Sequence, residues 1–219
     1  MNAPTDRYVP ALAYDWLTPA YDTVVRLTTR ESTFKSALLD QANLRVGQQV
    51  LDLACGTATL TIAAKQCQPG IEITGMDGDP AILARARTKA ARAGVSIHFD
   101  PALSCATPYA NGQFDRVLCS LFFHHLSTEN KRRTFSEIAR VLKPSGELHV
   151  ADWGKAQNPL MRLAFCGIQL LDGFDNTADN VNGQLPALMR DAGFSGVSET
   201  RRFPTMWGTL SLYRAIRPD

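Results

Sequence analysis

The sequence predicts an α/β fold: a seven-stranded, mostly parallel sheet with helices on both faces and an antiparallel hairpin at its C-terminal end. Two observations carry this. From Val46 onward, short apolar runs bounded by turn residues alternate with helical stretches, the pattern of a parallel sheet covered on both sides. Toward the C-terminus the alternation stops, and two strand-like runs follow each other across the short connection Pro204–Trp207.

The elements follow in order. Residues 1–45 form an N-terminal helical segment, with Val24, Leu27, Phe34, Leu38 and Leu39 sharing one stripe. Residues 46–219 form one structural unit without repeats, linkers or low-complexity tracts. Strands are predicted at Gln49–Ala54, Ile71–Met76, Ser96–Phe99, Phe114–Phe122, Glu147–Ala151, Gly196–Phe203 and Gly208–Ile216. Helices are predicted at Thr59–Cys67, Pro80–Ala93, Thr128–Leu142, Leu160–Leu171 and Leu185–Ala192. The second of these has Pro80 in its first turn and Gly94 just past its end. The third carries Phe135, Ile138, Ala139 and Leu142 on one face and stops at Lys143-Pro144-Ser145-Gly146. Right-handed crossovers then place the parallel strands' C-terminal ends on one edge, where such sheets bind ligands.

Composition narrows the function classes. The chain has 219 residues, 45% of them hydrophobic, enough for one sizeable core. A net charge of +2 is too balanced to predict a nucleic-acid partner or a basic membrane-binding surface. The cysteines number five, and no CxxC pair occurs, so neither a disulfide framework nor a zinc knuckle is expected. No signal peptide is expected, because the N-terminus shows no basic region followed by an apolar stretch, and no integral membrane association, because no apolar run approaches the ~20 residues that span a bilayer. The expectation is a cytoplasmic protein, monomer or homodimer, without nucleic acid and without a metal.

Two segments carry the ligand prediction. Val50-Leu51-Asp52-Leu53-Ala54-Cys55-Gly56-Thr57-Ala58-Thr59 sits at the first strand-to-helix turn, where a glycine lets backbone approach a ligand closely. Gly75-Met76-Asp77-Gly78-Asp79 ends the second strand, with Asp77 lying 21 residues beyond Gly56. An acidic residue at about that distance from a glycine-containing turn grips the hydroxyls of a nucleotide ribose, as in Rossmann-like binders.

Asp52-Leu-Ala-Cys-Gly-Thr-Ala resembles the first motif of class I S-adenosylmethionine-dependent methyltransferases, and Gly75-Met-Asp-Gly-Asp-Pro resembles their ribose-binding segment. Thr107–Asp115 resembles the loop and the "FD" that open their fourth strand. Arg140-Val-Leu-Lys-Pro-Ser-Gly146 resembles the turn before their fifth strand. The similarity covers residues 45–155 and is greatest to the small-molecule branch that includes ubiquinone and menaquinone C-methyltransferases. Leu17-Thr-Pro-Ala-Tyr-Asp22 resembles that branch's lid segment.

The resemblance implies S-adenosylmethionine as co-substrate, a small-molecule methyl acceptor and the following roles. Ala54, Cys55 and Gly56 pass under the methionine moiety, and Asp52 orders its ammonium. Asp77 holds the ribose, next to Gly78. Leu103 and Ser104 flank the adenine. Cys119 and Ser120 face the reacting sulfur, and Tyr21 closes over the cofactor. The sequence departs from the family at Ala54 and Ala58, where glycines are usual; cofactor binding is then expected if φ is negative at both. It departs again at Gly78, where an apolar side chain usually meets adenine, and in Ala102–Cys105, which leaves adenine to backbone groups.

Methyl transfer needs a base only if the acceptor must lose a proton. His124 and His125, just after the fourth strand, are the candidates, and the sequence does not choose between them or exclude simple capping of the next helix. Trp153 is either a stacking wall or a packing residue. Phe122, Phe123, Phe165, Phe174 and Met206 line an acceptor pocket or belong to the core. Arg201 and Arg202 form a solvated basic pair, and Arg26 and Arg30 are candidates for meeting a carboxylate. The alternative is a non-catalytic nucleotide-binding module on the same fold. A nicotinamide oxidoreductase is disfavoured, because the first turn lacks GxGxxG.

Overall fold

The structure is a computed structural model, and it describes residues 30–219. Its elements are α1 (Glu31–Ala42), β1 (Gln49–Leu53), α2 (Thr59–Cys67), β2 (Glu72–Asp77), α3 (Pro80–Arg92), β3 (His98–Pro101), β4 (Phe114–Ser120), a 3-10 turn (Phe123–His125), α4 (Thr128–Val141), β5 (Leu142–Trp153), α5 (Pro159–Asp172), α6 (Phe174–Val181), α7 (Leu185–Asp191), β6 (Ser195–Thr205) and β7 (Gly208–Ile216). The sheet has seven strands in the order β3-β2-β1-β4-β5-β7-β6. β1 pairs in parallel with both β2 and β4, β2 with β3, and β4 with β5, while β7 runs antiparallel between β5 and β6. The expected fold class is therefore the one observed, hairpin included. Strand order reverses direction at β1, so the crevice beyond β1 and β4 is the switch point where such sheets take ligands.

The period of two along each strand sorts the core. On β1 and β4, Leu51, Leu53, Val117 and Cys119 face one cluster, with Phe135 and Ile138 of α4 and Leu185 and Met189 of α7. Val50 and Leu118 face the other, with Phe34 and Leu38 of α1 and Leu60 of α2. Helix α3 begins where expected: the Asp79 carboxylate accepts the Ala81 and Ile82 N–H groups at 2.7 and 3.4 Å, and Pro80 occupies the first turn.

Several boundaries differ from expectation. β3 lies two residues later, at His98–Pro101. β4 ends at Ser120, because Leu121 adopts φ +54° and the chain turns into Phe123–His125. β5 starts at Leu142, which pairs with Phe114; the next pair is Arg116 with Glu147, so residues 143–146 protrude as an irregularity within the strand. Helix α6 was not expected: its Asp-Asn-Thr-Ala-Asp-Asn stretch is polar, and it is held by tertiary bonds described below. No helix among the described residues is long and apolar enough to cross a membrane. Tyr21, Val24, Arg26, Leu27 and most of the proposed 1–45 lid lie outside the described residues.

Candidate functional site

At the switch point, the β1–α2 turn and the end of β2 are tied together. Cys55 N–H donates to the Met76 carbonyl at 2.9 Å, and Gly56 N–H donates to Asp77 Oδ2 at 2.9 Å. Asp79 N–H donates to the other oxygen, Oδ1, at 3.0 Å. A carboxylate offers about four acceptor positions, so these bonds leave acceptor capacity for a ligand hydroxyl. Burial pushes the Asp77 carboxyl up, and its bonds to backbone N–H groups pull it back. Among the described residues, burial outweighs the donors that Asp77 receives.

The turn itself corrects one expectation. Ala54 has φ +56° and Ala58 φ +62°, flanking Gly56 at φ +54°, so both alanines are left-handed rather than negative in φ. The turn keeps the backbone path that glycine favours, and the alanines carry the strain. Neither fills the space beside Gly56: among the described residues, a Cβ added at that glycine would meet nothing within 4 Å. The Ala58 methyl is fully buried in a cluster with Ile62, Leu83 and Phe99. Among the described residues no side chain caps the first turn of α2, whose N-terminus faces this turn.

Beneath the turn, Asp52 is buried and accepts the Thr61 hydroxyl at 2.6 Å. Burial pushes its carboxyl up to about 6, against the Thr61 bond and the positive charge of Lys35 on α1. Lys35 and Thr61 were not singled out from the sequence, since nothing local marks them as neighbours of Asp52. Arg30, which was, stands exposed at the head of α1.

The loop after β3 is anchored to the same place, with Ala102 N–H donating to the Asp77 carbonyl at 3.1 Å. Leu103 lies at the surface, and the Ser104 hydroxyl is bonded to Thr134 of α4 at 2.9 Å. Cys119 is buried, paired across the sheet with Leu53 and Val150. Burial raises its thiol, and the charges of Asp152, Asp52 and Asp77 add to that. Cys55 is raised by burial as well, so neither thiol is a ready nucleophile. Ser120 is half-buried at the strand end, and Gly78 is half-buried between Asp77 and the Asp79 cap.

On the β4–β5 side the centre is Asp152, fully buried at the end of β5. Its Oδ2 accepts Phe122 N–H at 3.0 Å and Phe123 N–H at 2.7 Å, while its Oδ1 meets His124 Nδ1 at 2.7 Å and accepts Trp153 N–H at 2.7 Å. Asn180 of α6 adds its Nδ2 at 3.3 Å to Oδ1 and at 3.0 Å to the Trp153 carbonyl. Burial pushes the Asp152 carboxyl up, but the His124 charge and these bonds outweigh it and leave it lowered. The His124 and His125 rings lie 4.0 Å apart, tilted at 41°. Burial pushes His125 down to about 3, and His124 adds to that.

The aromatic candidates disperse. Trp153 is buried edge-on to Phe165 at 5.4 Å, and Phe123 stacks on Phe135 at 4.3 Å. Phe174 and Met206 are exposed. Arg202 pairs with Glu199, and Arg201 lies over the Phe203 ring, on the edge strand β6. Asp152, Asn180 and the buried Lys131 are what sequence reasoning missed. Asp152 directly follows the predicted fifth strand, but its partners Phe122, Phe123, His124 and Asn180 lie 28–30 positions away in sequence.

A parallel sheet with a switch-point crevice, entered by a glycine turn bonded to a carboxylate, defines a Rossmann-like α/β domain. Residues 50–146 match the family model described as a methyltransferase domain. The chain is 33% identical over 139 residues to a demethylmenaquinone methyltransferase of Thermus thermophilus, covering 63% of this chain and 62% of that one. It is 30% identical over 173 residues to a ubiquinone/menaquinone biosynthesis C-methyltransferase of Cereibacter sphaeroides, covering 78% of this chain and 66% of that one. It thus spans less than two thirds of either relative's length. Its fold is that of an S-adenosylmethionine-dependent methyltransferase solved in apo form, at TM-score 0.68 and 23% identity over 84% of this chain and 55% of that one. The matched region, residues 50–146, is thus a methyltransferase domain of the class I S-adenosylmethionine-dependent kind.

Proposed function

We propose that the chain transfers a methyl group from S-adenosylmethionine to a small hydroxylated aromatic acceptor of the quinol type. The observation that carries the first half is the convergence of Gly56 and Asp77: a backbone donor and a buried carboxylate with spare acceptor capacity, beside space that the described residues leave open. Asp77 holds the ribose hydroxyls, Asp52 the ammonium at one remove, and residues 54–56 lie under the methionine part. Leu103 and the Ser104 backbone flank adenine, and Cys119 and Ser120 form the floor near the sulfur. The N-terminal segment, with Tyr21, closes over the cofactor. S-adenosylmethionine supplies an activated methyl carbon, so the chain's own task is alignment, exclusion of water and removal of the acceptor's proton.

The acceptor class rests on the names of the two relatives. Release of S-adenosylhomocysteine is to be measured with 1,4-naphthoquinol, held reduced, beside amine, thiol and carboxylic-acid acceptors. Turnover with the quinol alone is expected; turnover only with another class would replace it, and none with any would leave a binding module. For the cofactor half, Asp77→Ala is expected to weaken S-adenosylhomocysteine binding by roughly 1.5–3 kcal/mol by calorimetry, the value of a hydrogen bond to a charged group. Unchanged affinity in a folded variant refutes the ribose role.

A further inference from the structure

We infer that Asp152 is a positioning residue that fixes His124 as the tautomer protonated on Nδ1, making Nε2 the base that takes the acceptor's proton. The inference deepens the proposed function and rests on it for its catalytic half. Its structural half stands on contacts alone.

The Asp152 carboxylate sits in a bed of donors: the N–H groups of Phe122, Phe123 and Trp153, and the Asn180 amide. With donors on both oxygens the carboxyl has no place for a proton of its own, and together with His124 they keep it a carboxylate despite complete burial. An ionised carboxylate only accepts, so the ring nitrogen 2.7 Å from Oδ1 must donate. In a neutral imidazole the other nitrogen then carries the lone pair. Leu121 fits this reading. It sits at φ +54°, in a region costly for a branched side chain, at the bend that turns the Phe122 and Phe123 N–H groups onto Asp152. The two histidines also separate chemically, because His125, pushed down to about 3, is too weak a base for proton transfer near neutrality.

In the reaction, the acceptor's hydrogen–carbon or hydrogen–oxygen bond breaks and the proton passes to His124 Nε2. The electron pair left behind forms the new bond to the methyl carbon, and the sulfur departs with the pair of the broken sulfur–carbon bond. The imidazolium, stabilised by Asp152, then gives its proton to water.

The test combines spectroscopy with kinetics. Long-range proton–nitrogen correlation spectra of the nitrogen-15-labelled chain, assigned with His124→Gln, report the tautomer without cofactor or acceptor. His124 is expected as a single Nδ1–H species in the native chain and as a mixture in Asp152→Asn. In that variant kcat with 1,4-naphthoquinol is expected to fall by about 10²-fold or more while KM for S-adenosylmethionine moves less than about threefold, a split that loss of a cap alone would not give. An Nε2–H tautomer in the native chain overturns the inference and leaves the proposed function standing. So does native-like turnover in folded Asp152→Asn. If Asp152→Asn does not fold, the native tautomer and His124→Gln decide, and full turnover in the latter overturns the base role. Absence of turnover in the native chain with every acceptor overturns base role and proposed activity together.

Discussion

Ala54 and Ala58 share a backbone conformation but differ in what their methyl groups do, so their replacement by glycine should separate strain from packing. A left-handed φ costs an L-residue roughly 1–2 kcal/mol, while the freedom glycine adds to the unfolded chain costs about 0.4–1 kcal/mol. Ala54, half-buried at the crevice, should therefore become more stable as Ala54→Gly, by about 0.5–1 kcal/mol in urea titrations. Ala58→Gly also loses a fully buried methyl, worth about 0.8 kcal/mol, and should come out near neutral. A destabilised Ala54→Gly would mean that φ at 54 is negative in solution. Asp52 gives a second prediction, in pH. Its carboxyl is pushed up to about 6, and an ammonium near it favours the charged form. Cofactor binding should therefore release a proton, and affinity should rise with pH through about 6, by roughly tenfold between pH 5 and pH 7. Calorimetry in buffers of different ionisation enthalpy reads this directly; flat affinity with no proton release would remove Asp52 from the site. In the apo chain the sign is opposite: the raised carboxyl costs stability when ionised, and that cost is relieved as pH falls from about 6 toward the ordinary 3.8.

Helix α6 has little apolar surface to bind it, and its place is set by polar bonds from α4 and β5. Lys131 of α4, fully buried, donates to the Asn176 carbonyl at 2.5 Å and to Asp179 Oδ2 at 3.0 Å, and Thr128 adds a bond to the same oxygen at 2.7 Å. Removing one partner of such a pair typically costs about 3–5 kcal/mol; here the lower end applies, because the Asp179 side chain keeps 16% exposure. Lys131→Met is expected to lower stability by roughly 3 kcal/mol, with amide exchange accelerated more in α6 than in α4, and Asp179→Asn should recover part of the loss. Uniform exchange across both helices would show that Lys131 supports the whole domain instead. This helix also marks the limit of what periodicity conveys. Strands β1, β2 and β4 and helices α2, α3, α4 and α7 were legible because each owes its place to an apolar face at a fixed period, or to a cap such as Asp79. Helix α6 was not, because a buried lysine contributed by another helix leaves no local trace. The same reason divides the site. Gly56 and Asp77 were legible through a spacing set by one βαβ unit, whereas Asp152, His124 and Asn180 meet only because β4, β5 and α6 converge.

At the scale of the whole molecule, the proposed cofactor site is a joint between elements rather than a pocket within one. The Gly56–Asp77 bond ties the first turn to the end of β2, and the Ala102–Asp77 bond ties the loop after β3 to the same residue. A ligand that fills this joint stabilises every element meeting there, so binding should read out in global unfolding. At a concentration one hundred times its Kd, S-adenosylhomocysteine should add about 2.7 kcal/mol to the folded state. For a domain of this size that is roughly 5–10 °C in Tm. Asp77→Ala should act twice. Loss of the bonds to Gly56 and Asp79 lowers the Tm of the unliganded chain, and weaker binding cuts the ligand-induced rise at the same ligand concentration to less than about half. The two effects separate, because the first is present without ligand and the second is the difference ligand makes. A variant whose unliganded Tm falls while its ligand-induced rise stays at the native value would show that the nucleoside sits elsewhere on the sheet edge, and that Asp77 serves only to hold the first turn in place.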